Sequence, residues 1–175
     1  GVLGCELLIC KNHLDKSVQD NGSKMVFLCK NKDGYHNLSK MSSIAFVDGF
    51  YYVPRIDKEI VEKYKDGLIV LSGGSRSDIA DLILNVGEKQ AEETFLWWKN
   101  TFEDDFYVEI NRHHLEAEDH ANEVLVRLAE KHQVKLVATN NTYYINQSDA
   151  QAHDVLLCIR NGELLSTPKG RGRGY

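Results

Sequence analysis

Two prolines and four cysteines in 175 residues, a formal charge of -5 and no long apolar run set the first limits on this chain. So little proline argues against a linker-rich or disordered composition. Hydrophobic residues at 42% and charged residues at 27% sit on the soluble globular average. No stretch approaches the ~18 apolar residues needed to cross a bilayer, and no basic segment precedes an apolar one near the start, so neither a membrane span nor a signal peptide is expected. Cys5, Cys10, Cys29 and Cys158 form no Cys-x-x-Cys pair. That spacing argues against a zinc ribbon or a disulfide framework and for buried thiols in a reducing cytoplasm.

The excess of acid makes the body a poor general binder of nucleic acid, whose backbone is gripped by lysine and arginine. Positive charge concentrates only in Lys169-Gly170-Arg171-Gly172-Arg173. Residues 166–175 therefore read as a flexible basic tail, with a short arm on phosphate as the alternative, and residues 1–165 as one domain.

What is present is an alternation of strands and helices. Val2 to Cys10 reads as a strand, Asn21-Gly22 as a turn, and the apolar run Met25 to Cys29 as the second arm of a hairpin. Helical spacing runs from Tyr35 to Val47 and stops at Asp48-Gly49, and Asp57 starts a short helix ending by Asp66-Gly67. Leu68 to Leu71 is a strand, Ser77 or Asp78 caps the helix that follows, and Glu88 to Phe102 carries Ala91, Phe95, Trp98 and Phe102 on one side. Phe106 to Ile110, a helix from Glu116 to His132, a buried strand from Val134 to Thr139 and a helix from Ser148 to Asn161 complete the pattern. It predicts a mostly parallel α/β sheet, open or closed into a barrel.

Several residues are candidates for chemistry. Glu6 inside an apolar strand needs a metal, an ion-pair partner or exposure at a strand end. Arg112-His113-His114 follows a strand directly, where imidazoles at a barrel mouth are metal-ligand candidates and where solvated loop histidines are the plain reading. Ser72-Gly73-Gly74-Ser75 sits between a strand and a helix, yet lacks Gly-x-Gly-x-x-Gly and a following Gly-Lys-Ser, so a tight connection is favoured over a phosphate cradle. His36, His120, His132 and His153 read as packed or capping helix residues and His13 as part of a polar turn. Trp97-Trp98 suggests one core and one partner-facing ring.

Taken in order, Gly4-Cys5-Glu6, the run Phe27 to Leu38 containing Lys32-Asp33-Gly34-Tyr35-His36-Asn37, the run Gly49-Phe50-Tyr51-Tyr52-Val53-Pro54-Arg55-Ile56-Asp57, Asp105 to His113, Val137-Ala138-Thr139-Asn140 and Asp149 to Ile159 resemble the polymerase and histidinol phosphatase (PHP) domain of bacterial replicative DNA polymerase III alpha subunits. The resemblance implies a distorted (β/α)7 barrel, here partial, with its first strands and their His-x-His motif upstream of Gly1 and the polymerase core downstream of Tyr175. It implies that Glu6 and His113 stand at metal-ligand positions, that Lys24 stands where relatives often carry His, and that Asn141 and Tyr143 replace an Asp and a His.

Because catalytic zinc sites use about three protein ligands, the expected module is structural and protein-binding, without its own catalysis and with no cofactor. The alternative is a phosphoesterase using Zn, Mn or Mg, either a 3'-5' proofreading exonuclease or a pyrophosphatase. Implied partners are the rest of the alpha subunit, a proofreading exonuclease subunit, other replicase subunits, and DNA through the parent protein, with no membrane contact.

Overall fold

The computed structural model describes residues 2–72, 77–111, 116–139 and 157–159. Its organising unit is the hairpin of β1 (Val2–Cys10) and β2 (Ser23–Cys29), antiparallel with Gly4 opposite Leu28 and Glu6 opposite Val26. Gly22 enters β2 at φ 72, a left-handed conformation that glycine adopts without a Cβ penalty. Then follow α1 (Lys32–Val47), β3 (Ile56–Asp57), α2 (Lys58–Tyr64), β4 (Leu68–Leu71), α3 (Asp78–Asn85), α4 (Glu88–Phe102), β5 (Phe106–Asn111), α5 (Glu116–His132), β6 (Lys135–Thr139) and β7 (Leu157–Ile159).

The strands form one sheet in the order β3-β1-β2-β4-β5-β6, with β7 also on β1. It is mixed. β1/β3, β4/β5 and β5/β6 are parallel, whereas β2 is antiparallel to both β1 and β4, and β7 is antiparallel to β1. The expectation of a mostly parallel sheet is corrected on this point, because the hairpin places one reversed strand in the middle. β1, β4, β5 and β6 still point the same way, so their carboxyl ends share one edge.

Strand alternation sorts side chains into two faces. Leu7, Ile9, Met25, Phe27, Val70, Phe106 and Val108 meet all five helices on the first, through Leu38 and Met41, Val61, Ile79, Phe95 and Trp98, and Leu125. The second face carries the smaller buried cluster Val26, Leu28, Ile69, Leu71, Tyr107 and Val137.

Helix starts follow capping chemistry. Asn31 accepts from the Gly34 N–H, Asp57 from that of Ile60 and Ser77 from that of Ala80, each satisfying a donor the helix cannot. The Asn31 cap moves the start of α1 to Lys32, three residues before the expected Tyr35. The predicted buried stripe of α4 is borne out in Ala91, Phe95, Trp98 and Phe102.

Two further expectations need correction. The helix from Ser148 to Asn161 fails at Leu157–Ile159, a strand paired with Val2, Leu3 and Gly4; the rest of it lies outside the described residues. β3 meets β1 only at Ile9 and Cys10, which leaves the opposite end of that edge open, and backbone pairing there overrides helical spacing. β6 is not buried throughout, since Lys135 and Leu136 are exposed.

Candidate functional site at the carboxyl edge of the sheet

Glu6 lies on the second face of β1. Its Oε1 is 4.0 Å from Lys24 Nζ on β2, with the two side chains 18% and 33% exposed. The register pairs Leu8 with Lys24 and Glu6 with Val26, so the charged residues are diagonal neighbours on one face. Lys24 also bridges through its backbone to Ser77, the residue that caps α3. Of the two readings of Glu6, the ion-pair contact is therefore present, and its cation comes from the residue at the family's variable position.

Glu109 shares this face by alternation on β5, two residues beyond Tyr107, and is 3% exposed. Its main chain is fixed by Ser72, whose Oγ accepts from the Glu109 N–H at 2.9 Å. His113, His114, Asn141 and Tyr143 lie outside the described residues, as do the glycines of Ser72-Gly73-Gly74-Ser75 and His153.

Among the described residues, no three His, Cys, Asp or Glu side chains gather in a way that would hold a metal ion. The chemistry of the described donors also fits a metal poorly. A lysine ammonium beside Glu6 offers donors and no lone pair, and the rest of the second-face cluster is aliphatic or aromatic.

The cysteines are equally unsuited to ligation or attack. Burial, reinforced by the carboxylate of Glu6, pushes the Cys5 thiol to about 12. Burial also pushes Cys10 and Cys29 to about 11. All three are free thiols and remain protonated at neutral pH.

A cleft of about 480 Å³ opens beside the carboxyl end of β1, lined by Cys10, Lys11, Asp20, Lys58, Asp78 and Asp81 among others. Its acids are engaged internally. Asp20 accepts from the N–H groups of Lys11 and Gly22, while Asp78 accepts from Trp98 Nε1 at 3.2 Å and pairs with Lys58 at 3.3 Å.

Sequence reading missed the most ordered polar cluster. Arg55 is fully buried and donates from Nε to Gly49 O at 2.8 Å, from Nη1 to Asp20 O at 3.1 Å, and from Nη2 to His13 O at 3.0 Å and Asp15 O at 3.3 Å. His13, assigned to a polar turn, is buried against Asp57 with Nδ1 to Oδ2 at 2.6 Å. The available signal was charge inside an apolar run, in Val53-Pro54-Arg55-Ile56-Asp57. His36 and His120 depart from expectation in the other direction, being exposed, whereas His132 is half-buried and 2.6 Å from Glu92.

Comparison with known proteins agrees with the motif-based resemblance. The PHP domain family matches residues 2–113. The DNA polymerase III subunit alpha of Borreliella burgdorferi is 40% identical over 165 residues, covering 92% of this chain and 14% of that protein. The proteins of the same name from Chlamydia pneumoniae and Campylobacter jejuni are 33% and 35% identical, over 96% and 95% of this chain and 16% and 15% of theirs. The chain thus spans about one seventh of the length of these curated relatives. Among the described residues no helix is long and apolar enough to cross a membrane. A mixed α/β sheet carrying Gly4-Cys5-Glu6 on its first strand, with a match over residues 2–113, shows that the chain belongs to the PHP domain family.

Proposed function

We propose that this chain is the PHP region of a bacterial DNA polymerase III alpha subunit, in which it serves as a structural and protein-binding module of the replicase rather than as a catalyst. The parent protein would carry DNA-directed DNA polymerase activity in the cytoplasm. This region would brace the polymerase core and receive a proofreading exonuclease subunit, as the family resemblance implies.

The carrying observation is the Lys24–Glu6 contact at 4.0 Å. Metal-assisted phosphoester hydrolysis needs an ion that polarises the phosphate and lowers the pKa of a bound water. A lysine held beside the first carboxylate opposes such an ion by charge. The replacement of the family's Asp and His by Asn141 and Tyr143 removes two further donors. The partial (β/α)7 barrel remains part of this proposal, supported by the common direction of β1, β4, β5 and β6.

Glu109, a second buried carboxylate on the same face, favours the competing reading. In that reading Glu6 and His113, with the absent His-x-His motif, hold Zn, Mn or Mg for a 3'-5' exonuclease or a pyrophosphatase.

The deciding experiment uses the full-length alpha subunit. Metal content after dialysis and nucleotide release from a primer end are measured for the wild type, Glu6→Ala and His113→Ala. No stoichiometric metal in this region, and no nuclease activity that either substitution removes, is the expected result. Stoichiometric Mn or Zn together with nuclease activity abolished by either substitution would overturn it.

A further inference from the structure

We infer that Lys24 is the resident cation of the sheet's second face, balancing acid there in the place where a metal-binding member of the family would use a divalent ion. The inference rests on the scaffold reading above and gives this lysine a role of its own. Glu6 projects from a strand whose face continues into Val26, Leu28, Leu71 and Tyr107, all buried. A carboxylate bordering such a surface loses hydration, and it stays ionised at small cost only if a positive charge stands near it.

Lys24 is suited to that task by position. It is one diagonal step from Glu6 across the hairpin, with Nζ at 4.0 Å and a side chain only one-third exposed. Its main chain is anchored to Ser77, and Ser77 is itself fixed by accepting the Ala80 N–H at 3.0 Å. The ammonium therefore departs from a fixed root. Glu109 adds a second acid to the same face, so the local demand for positive charge exceeds that of one carboxylate.

An ammonium and a divalent ion answer that demand differently. Lysine supplies a point charge and three N–H donors, with no vacant coordination position. It can hold a carboxylate in place without lowering the pKa of a water or polarising a phosphate. The substitution preserves the charge balance and removes the chemistry.

Hydrogen exchange measured on the full-length subunit, on peptides covering β1 and β2, tests this with and without millimolar Mn2+. Without added metal, Lys24→Met is expected to raise exchange roughly five-fold, as losing about 1 kcal/mol of local stability would. Lys24→Arg should keep wild-type protection. In the Lys24→Met protein Mn2+ should restore protection, and in the wild type it should change nothing. Adding Glu6→Gln to Lys24→Met should remove most of the defect.

Wild-type exchange in Lys24→Met overturns the inference, as does a defect that persists undiminished in the double variant or is not relieved by Mn2+. The wild-type metal content and nuclease assay decide the scaffold reading separately, since the Lys24–Glu6 coupling is read in metal-free protein.

Discussion

His13 and Asp57, 44 positions apart, meet twice: Asp57 Oδ2 accepts the His13 main-chain N–H at 2.8 Å and lies 2.6 Å from its Nδ1. The other carboxylate oxygen accepts the Ile60 N–H at the start of α2. One side chain thus ties the 11–22 loop to a helix start. Burial raises the Asp57 pKa, but hydrogen bonds from the His13 main chain and imidazole and from Ile60 outweigh it, so the carboxyl is held below its ordinary value.

The sign of the resulting pH dependence follows from that depression. A carboxyl with a lowered folded pKa contributes stability above its unfolded value of about 3.9 and loses it as pH falls through the folded value. Asp57→Asn keeps a good capping residue and removes the charge. It should cost about 1–3 kcal/mol near pH 7, in the range of hydrogen bonds to charged groups. Urea unfolding followed by tryptophan fluorescence should show the gap between wild type and variant closing below about pH 4. A gap independent of pH would mean that the ionised form contributes nothing.

Arg55 is the second tie in the same region, and its guanidinium shape matters as much as its charge. The acceptors at Gly49, Asp20, His13 and Asp15 come from two separate loops, and Tyr51 places its ring 5.8 Å from the guanidinium carbon. Lysine retains the charge but cannot address that spread of carbonyls from one planar fork. Arg55→Lys should therefore destabilise by about 2–4 kcal/mol, because buried carbonyls lose their donors. Limited proteolysis should then cut within residues 11–22 or 48–55 before any other described segment.

How much of this was legible beforehand depended on whether a residue's environment was local. The stripe Ala91, Phe95, Trp98 and Phe102 follows from helical spacing, and Ser77 announced itself as a cap by its place before the apolar run. Glu6 was also visible, as a charge within a strand. His13 was not, because its burial depends on Asp57 far along the chain, and no local period encodes such a meeting. β7 failed for a related reason: the apolar run at Leu157–Ile159 carries helical spacing, while the open edge of β1 that captures it is a tertiary feature.

Gly34 looks like a residue whose replacement by alanine should help, since it lies inside the first turn of α1. Helix propensity alone would favour alanine by about 1 kcal/mol. A Cβ there would stand 2.0 Å from the carbonyl oxygen of Gly67, which already accepts the Lys30 N–H at 2.8 Å. Gly67 itself sits at φ 79, where a side chain is strained. Backbone on both sides leaves little room to yield. Gly34→Ala should be destabilising by about 1–3 kcal/mol, the usual range for overpacking, and chemical denaturation would reveal the reversed sign.

The adjacent tryptophans separate burial from mere proximity. Trp98 has no exposed surface, stacks on Phe102 at 5.9 Å and meets Phe27 edge-on at 6.2 Å, while its Nε1 donates to Asp78. Trp97 is half-buried with Lys58 Nζ 5.1 Å from its ring. Trp98→Ala removes a core ring, leaves a cavity and strips a hydrogen bond from Asp78, for an expected cost of about 3–5 kcal/mol. Trp97→Ala forfeits partial burial and one exposed cation–π contact, together about 1–2 kcal/mol. Urea denaturation of both variants, followed by circular dichroism so that losing a fluorophore does not bias the comparison, should place Trp98→Ala well below Trp97→Ala. Equal losses would mean that the face of α4 turned toward β2 carries no more of the fold than its rim.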